Sequence, residues 1–206
     1  MGSDGFDAHP ALSFTTPVAL CCPPMKILPA TLDGVLEIEP DVFGDHRGFF
    51  VETFRAAALA EAGVEVAFVQ DNHSRSRRGT LRGLHFQTAP GQAKLVRCAR
   101  GTIFDVAVDL RRGSPTYGRW AGFTLDDASM RELFVPAGFA HGFCVLSEVA
   151  DVVYKCSSYY DPATEAEIAH DDPDIAIAWP SEVEPIVSER DANAPRLADV
   201  AAALPF

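Results

Sequence analysis

The chain has 206 residues, 48% hydrophobic and 22% charged, which suits one ordinary globular domain around a single core. Its formal net charge of −12 repels nucleic acid and anionic membranes. No apolar run is long enough to span a bilayer, and an anionic small molecule fits only where Arg or Lys cluster locally.

Residues 1–24, MGSDGFDAHPALSFTTPVALCCPP, lack sustained periodicity and a basic leader and end in two prolines. They are expected to form a disordered or loosely attached N-terminal extension, with the domain proper at 25–206. The Ala-rich stretch FRAAALAEAG at 54–63 predicts a short helix stopped by Gly63. In LRGLHFQ (81–87), Arg82 and His85 have opposite strand parity, and a bulge at Gly83 would bring both to one face. AKLVRCARG carries Lys94 at the same parity as Val96 and Cys98. GTIFDVAVDLR alternates, with Phe104, Val106, Val108 and Leu110 on one face and Asp105 and Asp109 on the other. His141 lies in the turn-rich PAGFAHGF. ADVVYKCSSYY runs at period two, so Val152, Tyr154, Cys156, Ser158 and Tyr160 are expected on one side and both tyrosines in one lumen. A terminal helix is expected within 190–205, starting after Pro195. Many short strands between Gly, Pro, Asp and Ser turns predict an all-β sandwich, jelly roll or barrel with helices only at its margins.

The five cysteines, Cys21, Cys22, Cys98, Cys144 and Cys156, are odd in number and show no CxxC spacing. They read as reduced thiols of a cytoplasmic protein. Each polar residue inside a strand has a plain reading: a hydrogen-bonded structural histidine, a tyrosine pair in the core, a solvated edge lysine. Because an unpaired buried charge is costly, they either face solvent or line a wet cavity. A metal site needs three or four close ligands, yet Gln87 is a poor one, no paired His spacing exists, and Arg82 and Lys94 would oppose a cation. The cavity is read as metal-free.

The stretches DHRGFFVETF, FVQDNHSRS, LRGLHFQ, QAKLVRCARGTIFDVAVDLRRGSPTYG, FVPAGFAHGF, YKCSSYYDPATE and VSERDANAP resemble, in order, the dTDP-4-dehydrorhamnose 3,5-epimerases from about Met25 to Pro195. The resemblance implies a cupin-type jelly-roll β-barrel, a homodimer, no cofactor, and a dTDP-linked 4-keto-6-deoxy sugar as substrate. It implies His85 as general base, Tyr154 as general acid on the opposite ring face, Asp191 orienting His85, and Lys94 near the 4-keto oxygen. Arg47, Phe49, Glu52, Gln70, Asp71, Asn72, Arg82, His141, Tyr160, Glu165 and Arg190 would bind the nucleotide sugar. Among these, Tyr160 would stack on thymine, and Arg47, Phe49 and Glu52 would reach the neighbouring subunit's site. Arg190 stands where the family more often has lysine, a change that keeps the charge and adds a phosphate-matching fork.

The chemistry suits these residue types. A proton alpha to a ketone leaves only with a base, served by an imidazole, and with a partner for the oxygen that becomes negative. Inversion then needs a proton from the other face, which a phenol supplies. Three rivals are a 3- or 5-monoepimerase on the same substrate, a metal-dependent cupin using His85 and His141, and a non-catalytic sugar-nucleotide binder.

Overall fold

The computed structural model describes residues 25–206; the expected extension, residues 1–24, lies outside the described residues. Thirteen strands and three short helices follow in chain order. They are β1 (Lys26–Pro29), β2 (Leu36–Glu39), β3 (Val42–Asp45), β4 (Gly48–Val51), α1 (Ala56–Glu61), β5 (Gln70–Arg77), β6 (Leu81–Gln87), β7 (Lys94–Arg100), β8 (Thr102–Asp109), β9 (Trp120–Asp126), β10 (Glu132–Val135), β11 (Phe139–Val145), β12 (Val149–Cys156), β13 (Glu165–Glu167), α2 (Glu189–Ala192) and α3 (Leu197–Val200).

The all-β jelly-roll expectation holds, as two antiparallel sheets rather than one closed barrel. One sheet has the order β1-β2-β10-β7-β12-β5, the other β13-β6-β11-β8-β9, and β3-β4 stands apart as a hairpin. A single core joins the inner faces: Val96, Leu133 and Val152 of the first sheet pack with Ile103, Ala107, Phe139 and Phe143 of the second. Alternation builds this sandwich. Along β8, Ile103 and Ala107 point to the shared core while Val106 and Val108 pack outward against Ile168, Ile175, Leu197 and Leu204. The inner parity also carries Asp105 and Asp109 inward, both fully buried. The outer face of the first sheet is capped by α1, whose Leu59 meets Ile38, Leu95 and Phe134.

Three local expectations are refined. The helix predicted across 54–63 spans Ala56–Glu61, and Gly63 ends it at φ +86°, a left-handed conformation that favours glycine. The terminal helix does start after Pro195, but α3 has four residues and passes into a 3₁₀ turn at Ala201–Ala203; docking of Leu197 and Leu204 on the sheet supplies the order that a lone turn lacks. The period-two run through Tyr160 stops at Cys156. There Ser157 donates to Ala93, and Asp161–Pro162 opens a turn closed by Thr164 and Glu165 N–H groups on the Asp161 carbonyl. Tyr154 therefore faces inward from a strand, whereas Tyr160 sits on a loop and is 51% exposed.

Candidate active site

One open end of the sandwich holds a cavity of about 470 Å³ lined by both sheets and by the C-terminal segment. His85 and His141 come from β6 and β11, Lys94 and Tyr154 from β7 and β12, and Arg190 and Asp191 from α2. A smaller recess of about 70 Å³, lined by Gln70, Asn72, Gln87, Gln92, Tyr160 and Glu165, shares His85, Lys94 and Tyr154 with it. These three groups stand where the two spaces meet, and His85 and Tyr154 belong to opposed sheets.

The expected bulge brings Arg82 and His85 together. Along β6–β11 the pairing is His85 with His141 and Arg82 with Phe143, so three steps on β6 match two on β11. Gly83 at φ +137° occupies the extra position, and a Cβ there would lie 2.5 Å from the Gly142 Cα. Both side chains consequently line one cavity. Arg82 donates from Nε to Ser76 Oγ at 3.1 Å.

His85 Nε2 lies 2.8 Å from Asp191 Oδ1, with the carboxylate 5% exposed and the imidazole 28% exposed. An ionised Asp191 accepts from Nε2–H, which leaves Nδ1 as the basic ring nitrogen. The carboxylate is itself fixed: Ser188 caps α2 by accepting the Asp191 N–H at 3.0 Å, and Gly83 N–H approaches Oδ2 at 3.5 Å. Lys94 is buried, and its Nζ contacts the His85 carbonyl at 3.4 Å. Burial lowers its pKa, while Cys156, Asp105 and Glu165 push in the opposite direction. Burial is also the largest influence on Tyr154 and raises the phenol pKa, against smaller lowering effects from Asn72 and Arg82. A phenol so placed keeps its proton at neutral pH and can donate it.

The recess is laced by polar contacts. Gln70 donates to Asn72 at 3.0 Å and accepts from the Tyr160 N–H at 2.9 Å. Tyr160 OH donates to Glu165 at 2.9 Å, and Glu165 also receives Arg190 Nη1 at 2.5 Å. Arg190 Nε donates to Glu167.

Sequence reading missed two carboxylates here. Asp105 holds His141 Nε2 at 2.9 and 3.0 Å, both side chains buried; its inward parity in β8 was visible, its partner was not. Glu167, which anchors Arg190, lies on β13, three residues too short to show a period. His85, Glu167 and Asp191 each bring a ligand atom within 4.8 Å of the others. Their donors are already engaged, Asp191 by His85 and Glu167 by the Arg190 guanidinium, so a cation there would compete with two existing pairs. His141, which the metal-dependent reading required beside His85 as a ligand, is instead tied to Asp105.

Four expected binding residues line neither the cavity nor its recess. Asp71 has the outward parity of β5 and pairs with Lys155 at 2.9 Å, so within this chain it does not face the site; alternation forbids it from sharing the side of Gln70 and Asn72. Arg47 and Phe49 are carried on the exposed β3–β4 hairpin, with Arg47 paired to Asp45, and Glu52 follows it, held by Arg55 at 2.6 Å.

A family model described as dTDP-4-dehydrorhamnose 3,5-epimerase matches residues 29–199. A dTDP-4-dehydrorhamnose 3,5-epimerase of Methanothermobacter thermautotrophicus is 54% identical over 170 residues, 82% of this chain and 92% of its own length. A dTDP-4-dehydrorhamnose 3-epimerase of Streptomyces niveus is 46% identical, covering 85% of each chain. The crystal structure of a 3,5-epimerase from Legionella pneumophila in complex with dTDP-4-keto-L-rhamnose superposes with a TM-score of 0.85 at 48% identity, over 87% of this chain and 96% of that one.

Proposed function

The chain belongs to the dTDP-4-dehydrorhamnose 3,5-epimerase family, and from that premise we propose that His85 and Tyr154 carry out its proton transfers. It is an isomerase that inverts C3 and C5 of dTDP-4-keto-6-deoxy-D-glucose to give dTDP-4-dehydro-L-rhamnose. The observation that carries the mechanism is the placement of an imidazole and a phenol on opposed sheets of one cavity.

In this reading Nδ1 of His85 removes the proton alpha to the ketone. Asp191 holds the imidazole in the tautomer that makes Nδ1 basic, and it stabilises the imidazolium once formed. Lys94 donates to the C4 oxygen as it becomes an enolate, a contact that strengthens in the transition state and therefore lowers the barrier. Tyr154 returns a proton to the opposite face, which inverts the carbon. The same ketone activates both neighbouring carbons, so one set of groups serves C3 and C5, His85 releasing its proton to solvent and Tyr154 regaining one between the two inversions. Arg82, His141 and Arg190 hold the diphosphate and sugar, Gln70, Asn72 and Glu165 orient the nucleotide, and Tyr160 offers its exposed ring to the base.

We assign Arg47, Phe49 and Glu52 to a neighbouring subunit's site within a homodimer. Support comes from the hairpin, whose Phe43, Phe49 and Phe50 are 47%, 61% and 65% exposed and contact no part of this chain's own cavity. Free thiols at Cys98, Cys144 and Cys156 suit the reducing cytoplasm.

NMR of the product distinguishes the readings. Inversion at both C3 and C5 is expected; inversion at C3 alone would place the chain with the 3-epimerases, which the likeness to the Streptomyces niveus protein keeps in play.

A further inference from the structure

The inner face of β5 presents four polar side chains in alternation, Gln70, Asn72, Ser74 and Ser76, toward the sandwich. Three have partners in the fold: Gln70 bonds Asn72 and Tyr160, Asn72 donates to Cys156 Sγ at 3.6 Å, and Ser76 accepts from Arg82. Ser74 has none, although its Oγ is shut off from solvent. A buried hydroxyl without a hydrogen bond is costly, and native folds rarely leave one without a use.

Its surroundings narrow that use. Ser74 lines the large cavity together with Tyr154, Arg82 and Phe143. It pairs in register with Val152, while its neighbour Asn72 pairs with Tyr154, so Ser74 and Tyr154 are diagonal neighbours on one wall, opposite His85. No hydrogen bond holds the hydroxyl in its present rotamer, so χ1 is free to take another staggered well. A ring lying between His85 and Tyr154 would present its Tyr154-side substituents to this hydroxyl.

We propose that Ser74 is a substrate-binding residue for the hexose, its hydroxyl turning into the cavity to bond an oxygen substituent of the ring on the Tyr154 side. This rests on the epimerase reading above. The contact belongs to the sugar and not to the base, whose recess Ser74 does not line.

Steady-state kinetics of Ser74→Ala with the dTDP-4-keto-6-deoxy sugar, and calorimetric binding of dTDP alone, test it. The expected result is a kcat/KM lowered about five- to tenfold, carried mainly by KM, with dTDP affinity within twofold of the parent and partial recovery in Ser74→Thr. Unchanged kcat/KM, or a loss shared equally by dTDP, would overturn the assignment. Should thermal melting show the alanine variant unfolded, Ser74→Cys, of similar volume with a feeble donor, is held to the same criteria. A parent enzyme inert toward this substrate would sink the function itself, whereas an active parent with an indifferent Ser74→Ala sinks only this inference.

Discussion

Two His–Asp pairs stand side by side in this fold and differ in what surrounds them. His85–Asp191 and His141–Asp105 are closed at 2.8 and 2.9 Å, each through Nε2, and the two imidazoles face one another in register across β6 and β11. The His85 ring is 28% exposed; its aspartate arrives from α2, outside the sheets, 106 positions further along the chain. The His141 ring is 7% exposed and its aspartate lies on the adjacent strand, fully buried. The same pair of residue types thus yields a basic nitrogen open to a ligand in one place and a locked cross-strand strut at the cavity wall in the other. Exposure of the ring, more than the hydrogen bond, separates a proton acceptor from an anchor.

The largest effect expected from breaking this contrast is on chemistry. His85→Ala should lower kcat by about 10³-fold, within the usual range for a general base, and leave dTDP affinity within twofold. His141→Ala should act chiefly on KM and on stability. Equal losses of kcat in the two variants, measured by stopped assays with product NMR, would erase the distinction.

Exchanging the carboxylates sharpens it. Asp191→Asn should cost about 10²-fold in kcat through the wrong tautomer while barely moving the melting temperature. Asp105→Asn should instead lower thermal stability, because a neutral amide is a weaker partner for the buried imidazole than the carboxylate it replaces. Calorimetric melts run beside the assays decide whether the two effects separate in this way.

Tyr154 extends the comparison to the opposite wall. Tyr154→Phe should slow net inversion by about 10²-fold and slow solvent exchange of the substrate's own proton less, since removal depends on His85. Equal loss of exchange and inversion would count against a phenol acting as the acid.

The smallest effect concerns Glu132, a buried carboxyl on β10 with no histidine beside it and one oxygen without a hydrogen bond. Burial pushes its pKa up from 4.5 to about 8, only partly offset by Arg97 and Lys155. The folded chain then holds this proton more tightly than the unfolded chain does. The associated stability is complete below pH 4.5 and is lost as pH rises toward about 8. Glu132→Gln should flatten that decline and raise the melting temperature near the upper end of the window by about 2–4 °C. A variant melting below the parent there would show that the carboxylate has a partner.

How much of this was readable in the residues follows from the range of each interaction. Strand alternation fixed the fates of Val106, Asp105 and Asp109, and the Gly83 bulge uniting Arg82 with His85 could be argued from parity alone. Lys94 entered the cavity because it shares parity with Val96 and Cys98. The pairing of His85 with Asp191 joins residues far apart in the chain, so local pattern could not reach it and only the resemblance named it. The His141–Asp105 strut needed the register of β8 against β11, which periodicity does not encode. Extending the β12 rhythm through Tyr160 failed after Cys156, where the chain leaves the strand before the Asp161–Pro162 turn, and the Asp71 side chain points away from the recess that Gln70 and Asn72 line because adjacent strand residues face opposite ways.

Proton inventory in heavy water tests the central claim most directly. With the dTDP-4-keto-6-deoxy sugar, the parent chain should place solvent deuterium at C3 and C5, and His85→Ala, folded and still binding dTDP, should place it about 10³-fold more slowly. Deuterium entering at the parent's rate in the His85→Ala variant would contradict the assignment of the imidazole as the base.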